Sequence, residues 1–306
     1  MNARVHPVMR SGRRAPGGGE KGLSLIELMI SLVIGLVVVG AVIVSIIGSS
    51  VTGRYQSAFG QMNEDAQIAL GILKREIELA GYSQPTGLIP DPLDATKQVL
   101  SFATVGANDY VYGCAKGFVN PTTANDYSCV ANANPGSPMF EVAYEADAGN
   151  TQLTSGPPPV PSNCTGNGVA GAAPFLTKNR YFVSTTASGR PELRCTSGGN
   201  TQPLVENIES MKIWYGMAVD NVQTQVVGYL TPDVVPVNTW WKYVISARVC
   251  LIVRSAEPVL TGGEDDQANS LLTKYIDCDL AEQTTTDRYL RRAYFTTATV
   301  RNKMPQ

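Results

Sequence analysis

Apolar side chains dominate one stretch near the start of the chain. Residues 28–47 form a run of 20 positions without a charge. As a helix this run is about 30 Å long, which matches the hydrocarbon core of a bilayer. Over residues 51–80, apolar positions recur at steps of three and four, the spacing of an amphipathic helix. With Gly81 as its C-terminal cap, one helix is expected from about residue 24 to residue 80.

Beyond residue 81 the pattern changes to the alternation that is typical of β-strands. It predicts strands at residues 140–144, 181–183, 211–217, 245–253 and 290–300. Stretches rich in Pro, Gly, Asn and Thr predict loops at residues 120–138, 155–173, 198–203 and 261–269. The expected fold class is therefore α+β, in which a long N-terminal helix, transmembrane and then amphipathic, packs on an antiparallel β-sheet head with long loops.

The charges indicate how the chain is oriented in the membrane. The 306 residues include 24 Lys+Arg and 26 Asp+Glu, a net charge of -2. Residues 1–22 hold five basic side chains and one acidic side chain, and the rest of the chain holds 19 and 25, a net charge of -6. Because basic residues keep their end of an apolar run in the cytoplasm, residues 48–306 are expected on the other side.

The chemistry-bearing residues argue against most enzyme classes. The one histidine, His6, lies in the basic stretch, so its removal would leave no imidazole as a general base or metal ligand. The acidic residues Glu264, Asp265 and Asp266 lack the spacing of an EF-hand loop. A GxGxxG motif at residues 166–171 follows prolines instead of a strand. We therefore predict no catalytic residue, no cofactor and no metal, and the net charge argues against nucleic-acid binding.

The six cysteines predict an oxidising compartment. They are even in number, widely spaced and contain no CxxC pair, which argues against a zinc site and favours disulfides. Six cysteines allow fifteen disulfide connectivities. We favour the pairing of neighbours along the chain: Cys114–Cys129, Cys164–Cys195 and Cys250–Cys278. Long loops of the head would then be stapled by disulfides.

The start of the apolar run carries the most specific motif. Gly22-Leu23-Ser24-Leu25-Ile26-Glu27-Leu28-Met29 follows a basic stretch and resembles the class III signal of type IV prepilins and of the pseudopilins of type II secretion. The resemblance implies that a prepilin peptidase cuts after Gly22 and methylates the new terminus at Leu23. It also implies that Glu27 is the retained glutamate. The usual first residue is Phe, and Leu23 departs from that pattern.

Glu27 has a physical cost that a partner must offset. An ionised carboxylate at membrane depth costs roughly 2.5 to 3.5 kcal/mol. After cleavage, the amine of Leu23 and the carboxylate of Glu27 would be four residues apart, so the two groups can pair between neighbouring subunits of a filament. Two unit charges 4 Å apart are worth about 4 kcal/mol at an effective dielectric constant of 20. Glu27 is therefore the predicted assembly residue.

Scattered segments resemble the PilW family of minor type IV pilins. They are residues 79–82, 147–150, 190–195, 202–211, 248–255 and 290–297, and the likeness ends at Arg301 and Asn302. The loop region at residues 106–138 is less similar. The resemblance implies a structural, non-enzymatic subunit that primes pilus assembly near the tip and supports twitching motility and adhesion. Its implied partners are the prepilin peptidase, other minor pilins, a tip adhesin, the major pilin and the inner-membrane assembly platform.

The expected organisation has four parts. Residues 1–22 are a cleaved leader, 23–47 the transmembrane half of the helix, 48–81 its amphipathic half, and 82–306 the extracytoplasmic head. The protein is expected in the bacterial inner membrane with its head in the periplasm, and then at the extracellular pilus tip. Two alternatives stay open: a minor pseudopilin of a type II secretion system, which shares the signal and the helix, and a membrane-anchored periplasmic binding protein, which does not explain Gly22 beside Glu27.

Overall fold

A computed structural model describes residues 22–90, 96–102, 110–123, 125–131, 136–219, 225–235, 240–259 and 273–303. Residues 1–21 of the expected leader 1–22, and the predicted loop at residues 261–269 with its acidic residues 264–266, lie outside them. Helix α1 spans Leu25–Leu79, which confirms the helix that the apolar pattern predicts. The chain divides into two compact units, Met1–Gly53 and Arg54–Gln306, so the boundary falls within α1.

The second unit combines the last part of α1 with antiparallel sheets. The first strands along the chain are β1 (Pro85–Pro90), β2 (Gln98–Phe102), β3 (Val111–Cys114), β4 (Met139–Glu145), β5 (Leu176–Thr185), β6 (Pro191–Ser197) and β7 (Asn200–Glu206). Strands β1 and β2 form a separate pair, whereas β3 to β7 form a five-stranded sheet in chain order. Each strand of that sheet pairs with the next one along the chain, which makes it a simple meander.

A second group of strands follows without a break in the chain. These strands are β8 (Ile208–Met217), β9 (Gly228–Leu230), β10 (Val244–Arg254), β11 (Thr273–Ile276), β12 (Glu282–Thr285) and β13 (Arg291–Thr299). Four of them form a sheet with the order β13-β10-β8-β9, and β11 and β12 form a hairpin. Asn207 joins the two main sheets with a φ of 65°, a left-handed conformation that Asn tolerates better than most residues.

All five strands predicted from alternation are confirmed, as parts of β4, β5, β8, β10 and β13. The prediction of a loop over residues 198–203 is wrong, because β7 begins at Asn200. Gly198 and Gly199 have φ values of 57° and 81° and connect β6 to β7. Ser197 pairs with Asn200 across them, so the loop is a two-residue hairpin turn that needs positive φ at both positions.

One face of α1 supplies the core of the second unit. The residues that are at most 9% exposed are Ala58, Met62, Ala66, Ala69, Leu73, Ile77 and Ala80. Their steps of three and four match a single helical stripe. The stripe begins at Ala58, later than the periodic pattern in the sequence, and Phe59 is 39% exposed. From Met62 onward, the side chains of the stripe share one cluster with the buried residues of both main sheets, such as Tyr144 and Val249.

Arg301 and Asn302 close the C-terminal end of α1. Gly81 has a φ of 77°, which confirms it as the cap, and its N–H donates to the carbonyl of Ala143 at 2.9 Å. The side-chain amide of Asn302 donates to the carbonyl of Ala80 at 3.2 Å. Arg301 pairs with Glu78 at 3.1 Å. Since the last carbonyls of a helix have no partner within it, these contacts tie Arg301 and Asn302 to the helix end.

Three disulfides hold irregular segments against the sheets. The structure pairs Cys114 with Cys129, Cys164 with Cys195 and Cys250 with Cys278, the arrangement favoured from the sequence. The first bridge closes the loop after β3, and the second attaches the loop before β5 to β6. The third attaches the turn between β11 and β12 to the outer face of β10, defined here as the face opposite the α1 core.

A buried arginine organises the loop after β3. Arg180 Nε donates to Glu141 Oε2 at 2.7 Å, and the two side chains are only 3% and 2% exposed. Its other nitrogens donate to the carbonyls of Asn120 and Pro121 at 3.0 Å and of Asp126 at 2.8 Å. Because the guanidinium satisfies three loop carbonyls and one carboxylate at once, it adds to the Cys114–Cys129 disulfide in holding the loop conformation.

Replacing Arg180 with methionine is expected to lower the free energy of unfolding by about 3 to 5 kcal/mol, because buried Glu141 would keep only the more distant ammonium group of Lys178, at 4.0 Å. Urea unfolding of the full chain in detergent, followed by tryptophan fluorescence, measures the change. The double variant Arg180→Met/Glu141→Leu should recover part of the loss, since it removes the poorly paired carboxylate but leaves the three loop carbonyls without their donor. A single variant that loses less than about 1 kcal/mol would contradict this role of Arg180.

Candidate processing and assembly site

The predicted cleavage point lies just before α1. Residues 22–24 have no regular structure, and the helix begins at Leu25. The N–H of Leu28 donates to the carbonyl of Ser24 at 3.1 Å, which fixes the first turn. Leu23 is 73% exposed. An exposed peptide bond outside a helix is accessible to proteolysis, so this geometry is compatible with cleavage after Gly22, which stays a prediction.

Glu27 is the one acidic residue in the first turn of α1. Its backbone carbonyl accepts a hydrogen bond from Ser31 Oγ at 2.7 Å. Its side chain is exposed, and within the described part of the chain its carboxylate has no hydrogen bond or ion pair. The side chains around it, among them Leu25, Ile26 and Leu28, are apolar and more than half exposed. The structure thus presents one carboxylate, without an internal partner, on an apolar surface.

The apolar run that follows is uncovered along its whole length. All residues from 28 to 47 are exposed in the first unit. α1 is the one described helix that is long and apolar enough to cross a membrane, and none of its most apolar window is buried. So large an apolar surface is covered by lipid or by other helices in a working protein. The geometry fits a membrane-anchored helix that begins next to Glu27.

Farther along α1, Glu76 joins the helix to the five-stranded sheet. Tyr144 donates its hydroxyl to Glu76 Oε1 at 3.3 Å, and the amide of Asn179 donates to Oε2 at 3.1 Å. Burial raises the pKa of Glu76, although these hydrogen bonds partly oppose it. Burial and the nearby carboxylate raise the pKa of Tyr144 well above its usual range. The buried carboxylate therefore favours its protonated form more than an exposed one does.

Two segments that carry the family resemblance meet at the end of the helix. Asp147 Oδ2 accepts hydrogen bonds from the Tyr82 hydroxyl at 2.8 Å and from the Gln84 side-chain amide at 2.9 Å. Its other oxygen accepts the backbone N–H groups of Gly149 and Asn150. Partial burial raises the pKa of Asp147, but these hydrogen bonds outweigh it and the net pKa is lowered. Residues 79–82 and 147–150 thus form one connection between helix and sheet.

The structure also explains a buried charge in β13. The side chain of Arg291 is 3% exposed and binds Glu209 at 2.7 Å and both oxygens of Asp287 at 2.6 Å. Its role is structural, and it is not free for a phosphate. Within the described ranges, no three His, Cys, Asp or Glu residues lie together as metal ligands.

The structural roles of Glu76 and Arg180 cannot be predicted from the sequence. The sequence predicts Glu76 to be an ordinary polar residue of an amphipathic helix. Only the folded structure places Asn179 and Tyr144 next to it. Arg180 lies 39 residues from Glu141 along the chain, and nothing local marks the pair. The signal that does exist is burial: a charged residue inside an alternating apolar strand needs a buried partner.

Glu76→Gln tests the buried carboxyl through its pH dependence. The folded protein holds the carboxyl proton more tightly than the unfolded chain does, so the stability that this proton contributes is lost as the pH rises from the ordinary value of 4.5 through the raised folded pKa. The wild type should therefore lose stability over that window relative to Glu76→Gln.

Unfolding free energies at several pH values from about 4 to 8 provide the measurement. The matched control is Glu64→Gln, at an exposed position of the same helix. Its difference from the wild type should stay flat. A wild type that gains stability over Glu76→Gln with rising pH would show that the carboxylate is the favoured form.

Two family models match the chain. The model for the prokaryotic N-terminal methylation motif matches residues 18–47, which include Gly22, Leu23 and Glu27. The model for PilW, the type IV pilus-assembly protein W, matches residues 180–302. No curated protein and no solved structure matches the chain. Neither matched model describes an enzyme family.

The two matches fit the geometry described above. The methylation motif covers the exposed start of α1 and its apolar run. The PilW match begins at the buried Arg180 and ends at Asn302, the residue that caps α1, so it includes most of both main sheets. Together with the long N-terminal helix, the antiparallel head and three disulfides, the two matches support a PilW-family type IV pilin.

Proposed function

We propose that the chain is a minor type IV pilin that helps to start pilus assembly and remains near the pilus tip with other minor pilins and a tip adhesin. The prepilin peptidase cuts its precursor between Gly22 and Leu23, and Leu23 becomes the methylated N-terminus. The observation that carries this proposal is Glu27, an exposed carboxylate at the start of an uncovered apolar helix. In this role the protein supports twitching motility and adhesion.

The mechanism follows from the charge of Glu27. Burial in lipid or among helices costs an ionised carboxylate roughly 2.5 to 3.5 kcal/mol. The free amine that cleavage creates at Leu23 is a cation at the same depth in a neighbouring subunit. Their attraction at 4 Å, about 4 kcal/mol at an effective dielectric constant of 20, offsets this cost. Cleavage therefore supplies the partner that the carboxylate lacks in the unassembled chain.

The apolar run determines where the subunit goes. Before assembly it anchors the chain in the bacterial inner membrane, and the disulfide-bonded head lies in the oxidising periplasm. In the filament, the helices of the major pilin and of sibling minor pilins replace lipid around it. Removal of 20 apolar residues from a bilayer is unfavourable, so the inner-membrane assembly platform must drive extraction with external energy.

Glu27→Gln is expected to enter filaments poorly, because the amide cannot form the ion pair with a neighbouring amine. The ratio of sheared-filament to membrane protein, measured by immunoblot with an epitope tag, should fall at least tenfold, since 1.4 kcal/mol already corresponds to a factor of ten. Glu64→Gln, on the same helix but outside the apolar run, is the matched control and should keep the wild-type ratio. Normal incorporation of Glu27→Gln would refute the mechanism.

A further inference from the structure

The four-stranded sheet has an open edge. β8 pairs with β10 along its whole length, from Ile208 to Met217. On the opposite side its partner is β9, which has three residues and pairs with positions 215–217 alone. Along positions 208–214, this side of β8 therefore has no strand partner among the residues that the structure describes. An unpaired edge presents backbone donors and acceptors to any chain that approaches it.

The register shows which backbone groups face that edge. The N–H of Val227 donates to the carbonyl of Met217 at 2.9 Å, so the backbone groups of Met217 point toward the β9 side. β8 runs without a bulge from position 210 to position 217, and backbone direction alternates along a strand. The N–H and C=O groups of Met211 and Ile213 therefore point to the open edge. These backbone groups are two hydrogen-bond donors and two acceptors, separated by the distance between alternate residues of a strand.

A groove of about 590 Å³ runs along this edge, within the size range of binding sites. Met211 and Ile213 line it, and since their side chains are buried in the core, their backbone is what reaches the groove. The β11–β12 hairpin supplies one wall, and the segments around Pro138 and Pro232 supply the other. Proline has no N–H, so neither proline can donate to the ladder of β8.

The walls are held apart. The Cys250–Cys278 disulfide fixes the hairpin turn to the outer face of β10, so the hairpin cannot move to pair with β8. The charged residues that line the groove are three aspartates and two lysines: Asp233, Asp277, Asp279, Lys116 and Lys212. Lys212 already pairs with Asp279, which leaves two carboxylates against one ammonium group. The groove thus favours a basic side chain on its occupant.

From this geometry we infer that the open edge of β8 is a strand-addition site for an extended, basic segment of a neighbouring pilus protein. The inference rests on the proposed function for the identity of that protein. The backbone groups of Met211 and Ile213 can be matched together by one class of molecule, an extended polypeptide, because its own N–H and C=O groups repeat at the same spacing. Four residues of such a strand span about 13 Å.

Amide hydrogen exchange with single-residue resolution tests the inference. The tagged full-length protein is extracted in detergent from cells that have all pilus proteins and from cells that produce this chain alone. The amides of Met211 and Ile213 should exchange at least tenfold more slowly in the first sample. Lys212 and Trp214, whose N–H groups face β10, should be protected in both samples and serve as internal controls. Equal exchange of Met211 and Ile213 in the two samples would overturn the inference, and so would their protection in the chain alone.

A charge reversal adds a second test. Asp233→Lys should abolish the added protection of Met211 and Ile213, because it makes the groove repel a basic segment. Glu257→Lys, an exposed reversal outside the groove, should leave the protection unchanged. Wild-type protection in Asp233→Lys would refute the basic occupant. Absence of the protein from sheared filaments would refute the proposed function, whereas filament protein with unprotected Met211 and Ile213 would refute strand addition alone.

Discussion

The lone carboxylate of Glu27 constrains the rest of this protein more than any other group. It lies in the first turn of a helix whose next 20 residues are apolar and exposed, without an internal partner in the described chain. Neither lipid nor a helix bundle accepts an unpaired charge at low cost. The carboxylate of Glu27 therefore lacks a cationic partner close to the point where the leader is expected to be removed. In the proposed mechanism, cleavage creates an amine nearby, and assembly brings that amine to a neighbour.

Within the second unit, the last part of α1 is packed on the sheets and hydrogen-bonded to them. Ala58 to Ala80 contribute a buried stripe, Glu76 is hydrogen-bonded to two residues of the five-stranded sheet, and Asn302 caps the last turn. Three disulfides hold the loops and the β11–β12 hairpin to the same two sheets. The end of α1 is therefore part of a cross-linked domain. These contacts and disulfides leave the open edge of β8 without a strand partner among the described residues.

Hydrophobic periodicity alone predicts the helix and the five longest regions of alternation. Those features depend on local pattern, which the sequence displays directly. Composition predicts a loop at Gly198-Gly199, whereas the two glycines form a two-residue hairpin turn, because such a turn needs positive φ at both positions. The short β11–β12 hairpin has few buried residues and little alternation to indicate it. The Arg180–Glu141 and Glu76–Asn179 contacts join residues far apart in the chain, so no local pattern reports them.

The central claim is that removal of the leader at Gly22 produces the cation that Glu27 requires. Its most direct test is the intact mass and N-terminal peptide of the protein from membranes and from sheared filaments, in cells with and without the prepilin peptidase. The account predicts a methylated Leu23 terminus that appears only with the peptidase and is present in the filaments. An intact Met1 terminus in protein recovered from filaments would contradict it.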